Sequence, residues 1–102
     1  MGQQALSQIT KTVSAVGTPE ALGSGSVRAH SITFFALKAA RTDNAGRVYI
    51  QVASGNDTAG APLDPGDSVT FTANGADEYY TDAQFYIDVE NAGDGVVAIY
   101  NK

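Results

Sequence analysis

Apolar and polar residues alternate with a period of two along most of the chain. Apolar or β-branched residues take every second position in runs such as 48–52, 69–73 and 85–89. This alternation is typical of half-buried strands. No ten-residue stretch has the period of an amphipathic helix, and residues 75–81 are expected to form one helical turn at most. The pattern predicts strands at 7–15, 20–22, 27–40 (broken near Ala29), 46–53, 67–73, 83–90 and 95–101.

Turn-forming residues separate these runs. Residues 43–46 are predicted to close a short hairpin, with Gly46 in a left-handed conformation. Residues 91–95 are predicted to close the last hairpin, in which Val97 and Ile99 form the apolar phase of the final strand. Pro62, Pro65 and Gly66 mark another turn. Short strands with frequent turns indicate an all-β sandwich or barrel.

Composition limits the classes of function. The 102 residues suffice for one domain, and the absence of Cys excludes disulfides, thiolate metal sites and a Cys nucleophile. No apolar run is long enough to span a membrane, and the N-terminus does not have the pattern of a signal peptide. The net charge of −5 argues against nucleic acid as the main partner.

The charge is unevenly distributed. Residues 1–47 carry five basic and two acidic residues, whereas 48–102 carry nine acidic residues and only Lys102. One interpretation is that these charges simply solvate loops. The other is that faces of opposite charge meet between subunits or on a partner.

Candidate catalytic and metal-binding residues are few. The one histidine, His30, has no triad-like motif around it, and Asp88 and Glu90 share a strand face in the manner of paired carboxylates. Both features are more typical of a solvated surface. Acidic loops offer oxygen ligands for Ca²⁺, although Asx residues in turns more often bond to local backbone; the candidate pairs are Asn56/Asp57, Asp64/Asp67 and Asn91/Asp94. We therefore assign no catalytic, cofactor-binding or metal-binding residue and expect no enzymatic activity.

The five tyrosines are the predicted interface residues. Tyr79 and Tyr80 fall in a loop, and Tyr49, Tyr86 and Tyr100 fall on the polar phase of their strands. Exposed tyrosines favour protein interfaces or stacking on sugars. Partial burial at the rim of a sheet is the alternative.

Two segments carry a resemblance to a known family. Asn44-Ala45-Gly46-Arg47-Val48-Tyr49-Ile50 and Pro62-Leu63-Asp64-Pro65-Gly66-Asp67-Ser68-Val69-Thr70-Phe71 resemble a turn-and-strand pattern of small β-sandwich proteins from tailed-bacteriophage virions. The segment 93–100 is similar to the closing hairpin of that pattern, whereas Gln51 stands where the pattern has Gly. The resemblance covers roughly residues 30–100.

The resemblance implies both a fold and a function. The fold expected is a single jelly-roll-like antiparallel sandwich of seven to eight strands over residues 1–102, with 1–7 as an extended N-terminal arm. The function expected is that of a non-enzymatic capsid decoration (cement) protein, a homotrimer located in the virion and bound to the major capsid protein or other virion subunits. The alternatives are a small tail, neck or connector component and a carbohydrate- or receptor-binding module.

Overall fold

The computed structural model describes residues 6–39, 41–52, 61–75 and 77–101. Twelve strands occur in these ranges: β1 (Leu6–Thr12), β2 (Glu20–Ala21), β3 (Arg28–Ala29), β4 (Ser31–Phe35), β5 (Leu37–Ala39), β6 (Thr42–Asp43), β7 (Val48–Val52), β8 (Ala61–Leu63), β9 (Ser68–Thr72), β10 (Tyr80–Thr81), β11 (Phe85–Val89) and β12 (Gly95–Asn101). One 3₁₀ turn, Asp82–Gln84, precedes β11.

Eight strands form two four-stranded antiparallel sheets. The first sheet has the order β1-β12-β4-β9 and the second has the order β2-β11-β7-β8. Counted along the chain, the eight strands are arranged 1-8-3-6 and 2-7-4-5, which is the double Greek-key order of a jelly roll. The predicted all-β, jelly-roll-like sandwich is therefore confirmed. The remaining strands form two short ribbons, β3 with β10 and β5 with β6.

The core lies between the two sheets. Directly paired residues share a face of an antiparallel ladder, and the pairs Ala98↔Phe34 and Tyr100↔Ile32 point inward from the first sheet. The Phe34 ring contacts Phe85 of the second sheet in an edge-on arrangement, with ring centroids 5.0 Å apart. Aromatic contacts of this kind add to the burial of apolar area and hold the sheets together.

The predicted phase of β12 was wrong. Ala98 and Tyr100 face the core, whereas Ile99 points outward and is 39% exposed. Both phases of this strand are apolar, so periodicity alone does not select the inner one. The selection comes from the cross-strand partners, because Phe34 and Ile32 of β4 must lie on the same face as Ala98 and Tyr100.

The two predicted hairpins were also wrong. Residues 43–46 lead from β6, which pairs only with β5, to β7 of the second sheet, and residues 91–95 lead from β11 of the second sheet to β12 of the first. Gly46 is not among the residues with positive φ. A Cβ there would meet the end of the Asn91 side chain, which can move aside.

Other boundaries differ in detail. The break predicted near Ala29 falls at His30, and a second break occurs at Ala36. The structure contains β6, β8 and β10, which the sequence pattern did not predict, and its helical turn lies after residues 75–81. Of the predicted N-terminal arm, Leu6 and Ser7 belong to β1; residues 1–5 lie outside the described residues, as do Asn56 and Asp57.

Candidate docking surface

The outer face of the first sheet carries no charged residue. The strand register and the burial pattern place every second residue of each strand on this face. We call this set the uncharged face: Leu6, Gln8, Thr10 and Thr12 of β1; Gly95, Val97, Ile99 and Asn101 of β12; Ser31, Thr33 and Phe35 of β4; Ser68, Thr70 and Thr72 of β9. In a chain of net charge −5 this is an unusual surface. Depletion of charge is the compositional mark of the central part of protein interfaces.

Two large apolar side chains are exposed on this face. Leu6 is 68% exposed and Ile99 is 39% exposed. Gln8 pairs with Ile99 and Leu6 pairs with Asn101, so Leu6 and Ile99 are diagonal neighbours on adjacent strands. At the other end of the face β5 contacts β12 and β1, and there Val97 is buried although it points outward. Among the described residues, nothing covers the Leu6–Ile99 end, which is therefore open to a partner.

The polar groups around this apolar pair are neutral. The hydroxyls of Thr33 and Thr70, on neighbouring strands, lie 2.8 Å apart and hydrogen-bond to each other. Removing neutral groups from water costs far less than removing charges, provided that they keep hydrogen-bond partners. The uncharged face is thus suited to being covered by another protein.

The predicted tyrosines do not share one surface. Tyr100 is a core residue, 6% exposed. Tyr80 is half-buried against the core, where its ring packs 5.5 Å from that of Phe85 and its hydroxyl donates to the Thr72 carbonyl at 3.1 Å. These two side chains serve mainly to build the domain.

Tyr49 and Tyr86 lie on the outer face of the second sheet, and both are half-buried. The Tyr49 hydroxyl donates to Glu90 Oε2 at 2.9 Å, which raises the pKa of Tyr49. The pKa of Glu90 is lowered, chiefly by the backbone N–H of Arg47 and then by Tyr49. Arg47 also forms a 2.8 Å salt bridge with Asp64. This side of the molecule is charged and internally paired, unlike the uncharged face.

Tyr79 is the exposed tyrosine, at 47%. The Arg28 guanidinium lies over its ring, 4.6 Å from the centroid, in a cation–π arrangement. Beside the ring is an open depression lined in part by Asn74, Asp77 and Gln84. An exposed ring next to carboxylate and amide groups suits a small polar ligand.

The buried carboxylates have structural partners. Asp82 Oδ1 accepts from the backbone N–H of Gly25 at 2.8 Å, and Asp88 Oδ1 accepts from that of Gly17 at 2.9 Å. Asp94, 1% exposed, accepts from two consecutive backbone N–H groups in the loop between β6 and β7. All three carboxylates therefore bind loops to the sandwich.

The other candidate catalytic and metal-binding residues do not come together in a common site. Asp88 and Glu90 engage different partners, Gly17 and Arg47, and do not form a carboxylate pair. His30 Nδ1 lies 3.4 Å from the Glu78 carbonyl. Of the candidate calcium pairs, Asp64 and Asp67 bond to each other in a local turn. Asp94 already accepts a hydrogen bond from the backbone N–H of Gly46. Within the described ranges, no group of three or more His, Asp or Glu residues is placed to hold a metal ion.

Comparison with known proteins gives no family assignment: no family model, curated protein or solved structure matches this chain. In the part of the chain that the structure describes, no helix is long and apolar enough to cross a membrane. Sequence reasoning missed Leu6 and Ile99. A signal was present, since the outward residues of β1, β4, β9 and β12 are only Thr, Ser, Gln, Asn, Gly and apolar residues. That signal appears only once these four strands are known to be neighbours.

Proposed function

We propose that this chain is a non-enzymatic structural protein of a tailed-phage virion, which docks on the outside of the capsid and stabilises it. The observation that carries the proposal is the uncharged face, with Leu6 and Ile99 exposed on a four-stranded sheet. The resemblance of segments 44–50 and 62–71 to virion β-sandwich proteins supports the same assignment. The partner is the major capsid protein or another virion subunit.

The proposed mechanism is burial of surface across junctions between capsid subunits. Docking removes the Leu6–Ile99 pair and its neutral neighbours from water, at roughly 25 cal/mol for each Å² of apolar area. A copy that touches two capsid subunits must be released before they separate, so binding energy adds to the stability of the shell. No covalent bond forms or breaks in this mechanism.

The test uses virions of the phage whose genome encodes this chain. The proposal predicts that the chain is present in hundreds of copies per particle and that particles lacking it lose their DNA at a lower temperature. Six or twelve copies would identify a tail, neck or connector component instead. Absence from the particle, or equal heat stability of depleted particles, would contradict the proposal.

Tyr79 favours a second candidate function, a carbohydrate- or receptor-binding module. The exposed ring adjoins hydrogen-bonding groups of Asn74, Asp77 and Gln84, which is the kind of arrangement that stacks on a sugar. A glycan array probed with the protein and with Tyr79→Ala tests this. Binding that Tyr79→Ala abolishes would support the module, and an array without hits would remove it.

The resemblance implies a homotrimer in solution, whereas pairing at an edge strand of the sandwich would give a dimer. The solution mass distinguishes the two.

A further inference from the structure

The sandwich has four edge strands, and three of them carry features that hinder pairing with another chain. The edges are β1 and β9 of the first sheet and β2 and β8 of the second. In β1 the charged Lys11 points inward, β8 contains Pro62, and β2 is only two residues long and contains Glu20. Inward charges, proline and short length are the usual means by which proteins prevent edge-to-edge association.

The β9 edge has none of these features. Its sequence, Ser-Val-Thr-Phe-Thr, has no charge and no proline, and it pairs with β4 over all five residues without a bulge. Ser68, Thr70 and Thr72 are exposed. Among the described residues, β4 is the only strand beside it.

The hydrogen-bond phase of β9 is fixed by its two ends. The Ala36 N–H donates to the Asp67 carbonyl at 2.8 Å and the Ala73 N–H donates to the His30 carbonyl at 2.9 Å, so the odd-numbered residues bond toward β4. Backbone groups alternate along a strand. Ser68, Thr70 and Thr72 therefore direct their N–H and C=O groups away from the sheet. The Tyr80 hydroxyl, which reaches the outward Thr72 carbonyl, agrees with this phase.

We propose that the β9 edge pairs antiparallel with β9 of a second copy about a two-fold axis at Thr70, which joins the two first sheets into one eight-stranded sheet. In this register Thr70 faces Thr70 of the second copy as a hydrogen-bonded pair. Ser68 faces Thr72 on the outer side, and Val69 faces Phe71 on the inner side. This inference does not depend on the proposed virion function.

The self-complementary sequence is the reason for choosing a second copy as the occupant. A two-fold interface brings each residue opposite its mirror position about the axis. Around Thr70 that operation matches hydroxyl with hydroxyl and apolar with apolar, and both kinds of cross-strand pair are stabilising. The outward N–H of Thr70 would then gain a carbonyl partner, and the carbonyl of Thr72 has a second lone pair for the new bond.

The experiment compares solution mass for three proteins. Wild type is expected at twice the 10.5 kDa chain mass. Thr70→Lys sets two like charges opposite each other at the axis, so its mass should fall to that of one chain at the same concentration. Thr10→Lys is the matched control, because Thr10 is an exposed, outward threonine on the opposite edge of the same sheet, and it should keep the dimeric mass. Circular dichroism establishes that both variants are folded.

Amide hydrogen exchange provides a second readout that does not depend on a substitution. The Thr70 amide should be protected in wild type and should lose protection on dilution to the monomer. A monomeric or trimeric wild type, or a dimer that Thr70→Lys leaves intact, would each overturn the inference. A β9 dimer that does not bind capsids would leave this inference standing and contradict the proposed function alone.

Discussion

The side-chain amide of Asn44 makes two hydrogen bonds with the backbone of Gly95. Asn44 Nδ2 donates to the Gly95 carbonyl at 2.8 Å, and the Gly95 N–H donates to Asn44 Oδ1 at 3.0 Å. Asn44 is only 5% exposed. The amide thus takes the place of a neighbouring strand at Gly95, and it ties the loop before β7 to the start of β12.

Replacing Asn44 with Ala should destabilise the domain by at least about 2 kcal/mol. The substitution leaves the buried N–H and C=O of Gly95 without their partner, and each unsatisfied group costs roughly 1–3 kcal/mol. Urea unfolding followed by circular dichroism measures the change. The matched control is Asn74→Ala, which truncates an exposed loop asparagine and should stay within about 0.5 kcal/mol of wild type. Equal stability of the two variants would show that the Asn44–Gly95 bonds contribute nothing.

Gly95→Ala should be more damaging than Gly93→Ala. A Cβ at Gly95 would collide with the backbone of Lys11 and Thr12 in β1, which cannot move without breaking the β1–β12 ladder. At Gly93 a Cβ meets nothing within 4 Å, and the cost comes from its φ of 93°. We expect about 1–2 kcal/mol for Gly93→Ala and a clearly larger loss for Gly95→Ala.

Amide exchange distinguishes the two glycine variants further. In Gly95→Ala the amides that bond β1 to β12 should lose protection, because the edge strand β1 detaches. In Gly93→Ala they should stay protected. Retained protection of β1 in Gly95→Ala would mean that the two strands separate slightly without unpairing, contrary to this prediction.

The Lys11–Glu20 salt bridge should make stability depend on acid pH. Its 2.8 Å contact joins the edge strands β1 and β2 of opposite sheets, and the bond to Lys11 is the main cause of the lowered pKa of Glu20. A carboxyl whose pKa is lower in the folded state stabilises the fold above its unfolded-state pKa. That contribution is lost as the pH falls through the folded-state pKa.

Glu20→Gln should therefore cost about 0.5 kcal/mol at neutral pH, as is usual for partly exposed ion pairs. The difference from wild type should disappear in acid, below the folded-state pKa of Glu20. Urea unfolding as a function of pH measures both, and Lys11→Met provides the second arm of a double-mutant cycle. A Glu20→Gln difference that is constant with pH would show that packing, and not charge, is responsible.

Local patterns in the sequence predicted the strands well and their neighbours poorly. Runs such as 48–52 and 85–89 have a clear period of two, and the structure places strands there. The connections at 43–46 and 91–95 look like hairpins locally. In the structure neither connection joins two paired strands. Asn44 bonds to Gly95 at the start of β12, and Asp94 bonds to the backbone of Ala45 and Gly46, which is a long-range effect that no local pattern records.

The candidate surface was harder to predict for the same reason. Tyr100 was expected to lie outside and Ile99 inside, and pairing with β4 reverses them. Leu6 lies in β1 and Ile99 lies in β12, and these two strands become neighbours only in the folded jelly roll. Individual residues suggested tyrosines as the interface, whereas sheet order reveals the uncharged face.

Whether the uncharged face docks on the capsid can be measured by the binding of two lysine variants to depleted capsids. Ile99→Lys places a charge on the face, whereas Val16→Lys places one at an exposed aliphatic residue, 55% exposed, in the loop between β1 and β2. Both variants should fold as wild type. If this face docks, Ile99→Lys should lose capsid binding at least about tenfold, the equivalent of roughly 1.4 kcal/mol, while Val16→Lys should bind as wild type does. Equal binding by Ile99→Lys and wild type would show that the uncharged face does not dock.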